Sequence, residues 1–185
     1  MEIRNFIEQY NNISNDILKE NFIKDNLHVK SYIPYIEKVA IAQKIVKPTT
    51  LNKETGGLNV NTPLNYLLFC RAVIENYTDL EINQEDKGFY EIYDLLSQSG
   101  LLDRIIVGTD KKEPLIPAKE LGEFKTVCEM TKNDIISNIN APSNIISQII
   151  LQLANVFGDA SKDFADFVKE LNDSKIEEQS EQITM

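Results

Sequence analysis

Apolar side chains recur at intervals of three and four residues from Ile3 to Leu171, and this spacing restricts the fold more than any other feature. Such intervals place side chains on one face of an α-helix. Ile3, Phe6, Ile7 and Tyr10 predict a short first helix ended by Asn11-Asn12. Ser14 or Asn15 is placed to cap a second, with Ile17, Leu18, Phe22 and Ile23 as its apolar stripe and its end near Asn26, giving an antiparallel pair. His28 to Ile33 reads as extended, because the residue before Pro34 is pushed out of the helical region. A third helix is expected from Pro34 to Lys47 on Ile36, Val39, Ala40 and Ile45, with Pro48 as its stop.

The grammar changes between residues 49 and 61, where two short polar runs flank Gly56-Gly57 and predict a β-hairpin insertion. An isolated hairpin is marginal in water, so Leu51, Leu58 and Val60 are its candidate contact residues. Thr62-Pro63 starts the central core helix, which runs to Tyr77 through Leu64, Leu67, Leu68, Cys70, Val73 and Ile74. After an acidic loop, Asp79 to Lys87, a further helix carries Phe89, Ile92, Tyr93, Leu95 and Leu96 and meets a C-cap at Gly100. Leu101 to Ile106 continues as a short segment, helical or extended, and Gly108 to Pro117 reads as a surface loop. A long helix follows from about Ala118 to Asn138. Beyond Pro142, Ile146, Ile150, Leu153, Phe157, Ala160, Phe164, Phe167 and Leu171 form a heptad-like seam. That seam either packs on its own domain or mediates self-association, with Phe164, Phe167 and Leu171 as interface candidates. The expected architecture is mostly α: a single helical domain over 1–171, one hairpin insertion, and an acidic disordered tail over 172–185.

Charge and composition narrow the function. The 29 acidic residues against 19 basic ones leave −10, which repels phosphate backbones and anionic lipid, so no direct nucleic-acid or membrane partner is expected. No apolar run reaches the roughly 18 residues of a membrane span. Cys70 and Cys128 lie 58 positions apart in apolar stretches and read as buried thiols. With a mixed-charge N-terminus lacking an apolar signal region, they favour synthesis in the reducing cytoplasm. The 24 Ile and 18 Asn against 8 Ala suggest a gene rich in A and T.

Chemistry-bearing residues stay scattered. His28 is the only histidine and has no Cys or Ser beside it, which removes the usual Ser-His and Cys-His nucleophile arrangements. Asp163, Asp166 and Glu170 share a helix face but alternate with Lys162 and Lys169, as a solvated face does. The acidic loop lacks EF-hand order, and Gly56-Gly57 lacks a phosphate-loop lysine. No catalytic, cofactor-binding or metal residue is assigned, and no enzyme is expected.

The run Tyr32-Ile33-Pro34-Tyr35-Ile36-Glu37-Lys38-Val39-Ala40, then Asn61-Thr62-Pro63-Leu64-Asn65-Tyr66-Leu67-Leu68-Phe69, Tyr77-Thr78-Asp79-Leu80-Glu81 and Glu123-Phe124-Lys125-Thr126-Val127, resembles small uncharacterised helical proteins of tailed bacteriophages and prophages of low-GC bacteria. The likeness spans roughly residues 1–170 and rests on packing and turn signals. It implies a structural or virion-assembly protein, made in the cytoplasm and incorporated in a virion, whose partners are other protein subunits, either itself or virion components. The alternative is an acidic regulatory adaptor that binds a host or phage protein.

Overall fold

A computed structural model of the chain describes residues 1–52, 55–83, 89–109 and 112–141. The chain divides into two compact units, Met1–Ile136 and Ser137–Met185, and the features below belong to the first, apart from the last three residues of its final helix. The seam residues Phe164, Phe167 and Leu171, the carboxylates Asp163, Asp166 and Glu170, and the acidic tail lie outside the described residues.

The helical reading holds. Helix α1 (Ile3–Asn11) buries the four residues that predict it, Ile3, Phe6, Ile7 and Tyr10. Helix α2 (Asp16–Asn26) is capped by the Asn15 carboxamide, which accepts from the backbone N–H groups of Ile17 and Leu18 at 2.8 and 3.2 Å. Its apolar stripe is only half used: Ile23 is buried and the Phe22 ring packs 5.1 Å from that of Phe6, but Ile17 and Leu18 are exposed. The second helix therefore meets the first through the apolar residues of its later turns, with the Lys19 ammonium of its first turn 4.7 Å from the centre of the Tyr10 ring. The extended segment after it pairs Val29 with Thr78 in an isolated antiparallel bridge.

Helix α3 (Tyr35–Thr50) departs from expectation in face and in length. Its buried residues are Lys38, Ala42, Ile45, Val46, Thr49 and Thr50, whereas Ile36, assigned above to the apolar face, is 73% exposed. Residues two apart on a helix point about 200° apart, so turning Lys38 inward turns Ile36 outward. Pro48 does not stop the helix. It brings no N–H to the ladder, and the Thr49 hydroxyl bonds back into this turn, 2.9 Å from the carbonyl of Ile45 and 3.1 Å from that of Val46.

The predicted hairpin is reduced accordingly. Among the described residues its strands are replaced by a single antiparallel bridge, Leu51 to Leu58, because Thr49 and Thr50 are helical. Their carbonyls still accept from Asn61 and Asn59, both at 2.8 Å, so the connection is held at its base by the last turn of α3.

Helix α4 (Thr62–Tyr77) begins with Pro63 in its first turn, where a missing N–H costs nothing, and is capped by Asn61, one residue earlier than Thr62. Helix α5 (Tyr90–Ser99) ends at Gly100 in the left-handed conformation, φ 76°, as a C-cap glycine should. The next segment resolves as helical: a π-helical turn, Asp103–Val107, is closed by the N–H of Gly108 on the carbonyl of Asp103 at 2.7 Å. The wide turn frees the carbonyls of Arg104 and Ile105, which accept from Leu115 and Ile116 at 2.9 and 3.3 Å. Ile116 is thereby fully buried, so the connection after Gly108 is part core and not surface throughout. Helix α6 (Ala118–Ile139) closes the first unit, with Phe124 stacked 5.2 Å from Phe69 of α4.

Two glycines predict opposite responses. Gly108 has φ 81°, and a Cβ there would lie 2.9 Å from Cδ of Pro114; Gly122 lies in α6 with nothing within 4 Å. Gly108→Ala is expected to lower unfolding stability by about 1–3 kcal/mol, and Gly122→Ala to raise it by about 0.5–1 kcal/mol. Urea titration of both variants checks the signs.

Candidate functional site

The sequence-predicted contact residues of the 49–61 connection come to one end of α3. Leu58 and Val60 are 41% and 48% exposed, while Leu51 is half-buried at the end of the helix. Ile41, Lys44 and Pro48 follow one another at intervals of three and four and so share one side of α3, and Leu51 follows the helix as its C-cap in extended conformation. Two grooves run along it. The first, of about 390 Å³ between α3 and α4, has Ile41, Ile45, Leu68 and Ala72 as apolar lining and Lys44, Arg71, Glu75 and Asn76 as polar lining. The second, of about 470 Å³, is lined by Lys47, Pro48, Leu51, Asn52 and Gly56. Arg71 is paired with Glu75 at 2.8 Å. Lys44 and Lys47 are exposed and, among the described residues, in no ion pair.

The densest polar cluster is internal and was not anticipated. Lys38 is fully buried, with Nζ 2.9 Å from Glu120 Oε2 and 3.1 Å from Glu123 Oε1. The Tyr32 ring covers it, 4.7 Å from Nζ to the ring centre. The other Glu120 oxygen accepts from the Ile33 N–H at 3.1 Å and the Tyr77 hydroxyl at 2.9 Å. Burial pulls the Lys38 pKa down, but its hydrogen bonds to Glu120 and Glu123 and their charges outweigh this and hold it above the ordinary lysine value. Burial likewise pushes Glu120 up, but the bonds from Lys38, Ile33 and Tyr77 outweigh it and set its pKa below the ordinary carboxylate value. Tyr77 is raised by burial and by its bond to Glu120. A nucleophilic amine needs a free lone pair, and a general base needs a free oxygen. This lysine is charged, enclosed and bonded, and this carboxylate has partners on both oxygens.

Other titratable groups serve packing. Glu20 joins α2 to the region after α5, receiving Arg104 Nε at 3.2 Å and Lys112 Nζ at 2.7 Å. Cys70 and Cys128 are free and buried, as their apolar contexts predict; burial raises their thiols to about 11 and about 12. His28 is exposed, and its backbone N–H donates to Asp79 at 3.0 Å. Among the described residues no cluster of three His, Cys, Asp or Glu is placed to hold a metal ion, and no helix is long and apolar enough to cross a membrane.

No family model, curated protein or solved structure matches the chain. A signal for the buried pair does exist in the sequence. Lys38 lies at helical intervals from Ala42, Ile45 and Thr49, and Glu120 from Phe124, Val127 and Cys128, so each extends its helix's buried stripe by one charged residue.

Removing one member leaves the other charge buried, so Lys38→Met or Glu120→Gln is expected to cost about 3–5 kcal/mol. The pair also fixes a pH profile. Glu120 is lowered on folding, so its contribution is full above the unfolded value of 4.5 and is lost as pH falls through the lower folded value. Lys38 is raised, so its contribution is full below 10.5 and is lost as pH climbs through the higher folded value. Urea midpoints measured across pH are expected to show a shallower acid limb in Glu120→Gln than in the parent.

Proposed function

We propose that this protein works by contact with other protein subunits, without catalysis, as a structural or assembly component of a bacteriophage virion. It is made in the cytoplasm and taken into the particle. The contact surface is the 49–61 connection with Leu51, Leu58 and Val60, in the hairpin role read from the sequence. The observation that carries this reading is the exposure of Leu58 and Val60 on a connection whose base is bonded to the end of α3. Apolar side chains held in place in solvent bind at a smaller ordering cost than side chains on a floppy loop. The phage setting comes from the sequence resemblance, and the inward-turned Lys38 cluster favours contact over chemistry.

The test is particle incorporation. In a lysogen or infected culture carrying the gene, the chain is expected in purified particles or their precursors at fixed stoichiometry. Leu58→Ser with Val60→Ser should remove it, while helical circular dichroism and melting temperature stay within the range of surface substitutions, about 0.5 kcal/mol. Normal particles that never contain the chain at any stage overturn the virion role. An unchanged content of the double variant overturns the assigned surface.

A further inference from the structure

The connection leading into α4 presents an edge of backbone that its own fold leaves open. The N–H groups of Asn59 and Asn61 both donate to the last turn of α3, to the carbonyls of Thr50 and Thr49 at 2.8 Å. Along extended chain the backbone groups of successive residues point to opposite sides, so those of Leu58 and Val60 point away from the helix. Among the described residues the N–H and C=O groups of Leu58 and Val60 take part in no hydrogen bond, and residues 58–61 are all exposed. A row of open donors and acceptors is a template for another strand, and proteins usually blunt such an edge with charge or proline. Residues 57–61 carry neither, and no charged side chain occurs from Thr55 to Cys70 in a chain that is 26% charged.

We infer that residues 57–61 pair with the same residues of a second copy of this chain, antiparallel about a two-fold axis at Asn59. This rests on the contact-surface reading and names the partner. The edge is self-complementary. With Asn59 opposite its own copy, each Leu58 N–H donates to the facing Val60 carbonyl, and each Val60 N–H donates to the facing Leu58 carbonyl. Leu58 and Val60 are two residues apart, so their side chains share one face of the pairing, and the apolar groups of both copies meet there. Two copies of net charge −10 repel at long range, and an uncharged edge is where they approach at least cost. A strand of a different protein would meet the same open groups, but nothing in the edge selects its side chains. The two-fold match is built into the spacing of residues 58 and 60.

Light scattering on the full chain between about 5 and 500 µM is expected to show a monomer–dimer equilibrium with Kd about 50 µM, as suits a small interface. Val60→Pro deletes the outward N–H without breaking an internal hydrogen bond, and should weaken the dimer about tenfold or more with circular dichroism unchanged. Val60→Lys should do the same by charging the edge. Asn59→Cys reads the register. Across the axis the two thiols take a non-hydrogen-bonded position, where α-carbons about 4.5 Å apart suit a disulfide, so oxidised glutathione should link the copies. Cys70 and Cys128 are buried, and the parent chain should stay unlinked. A monomer throughout that range, a dimer that both Val60 variants leave intact, or an Asn59→Cys dimer that does not cross-link overturns the inference. The two readings fail separately. If the chain is monomeric yet Leu58→Ser with Val60→Ser removes it from particles, only the self-pairing falls. If it dimerises and cross-links yet that variant stays in particles, only the virion role of the surface falls.

Discussion

The buried ion pair of Lys38 and Glu120 sets the geometry of the first unit. A charge enclosed in protein without its partner costs several kcal/mol, so four separate pieces of chain are obliged to arrive together: the Tyr32-Ile33 segment, α3, the end of α4 and the start of α6. Such a pair contributes less to net stability than an apolar replacement of the same shape would. What it does supply is registry, since a one-residue rotation of α3 or α6 would strand both charges. Two donors, one ring and a second carboxylate converge on two side chains, and each contact removes an alternative packing.

Registry at Lys38 has consequences along the whole of α3. With Lys38 inward, Ala42, Ile45, Val46 and Thr49 are buried, and Tyr35 and Ile36 face solvent. The flank carrying Ile41, Lys44 and Pro48 then lines the groove against α4 and, at its end, the groove beside the 49–61 connection. Both grooves thus follow from the rotation of α3 that satisfies the ammonium, although none of their lining residues touches it.

Periodicity in the sequence located the six described α-helices but left the helical turn at Asp103–Val107 open between helical and extended, and local chemistry located several of the ends: Asn15 as a cap, Pro63 in a first turn, Gly100 as a C-cap. Those signals act within a few residues and survive without tertiary context. Which face is buried is a tertiary property. On α3 an apolar count favours Ile36, and a partner 82 residues away decides for Lys38 instead. Pro48 was misleading for a related reason, since proline removes a donor but does not forbid a neighbouring hydroxyl from bonding into the same turn. Leu51, Leu58 and Val60 stand out in the sequence as apolar side chains in a polar run, and Leu58 and Val60 are exposed. The groove between α3 and α4 was not legible, because its two walls lie more than twenty residues apart in the sequence.

The continuation of α3 through Pro48 bears on how the proposed contact surface would work. Had the helix stopped at Lys47, as proline suggests, a free two-stranded loop would follow, marginal by itself and ordered only on binding. Instead the carbonyls of Thr49 and Thr50 belong to the helix and accept from Asn61 and Asn59, so the connection's orientation is coupled to the helix axis. That axis is pinned in turn by Lys38. The exposed Leu58 and Val60 are therefore tied, through one helix, to a buried charge pair, so the proposed contact surface is positioned before any partner would arrive.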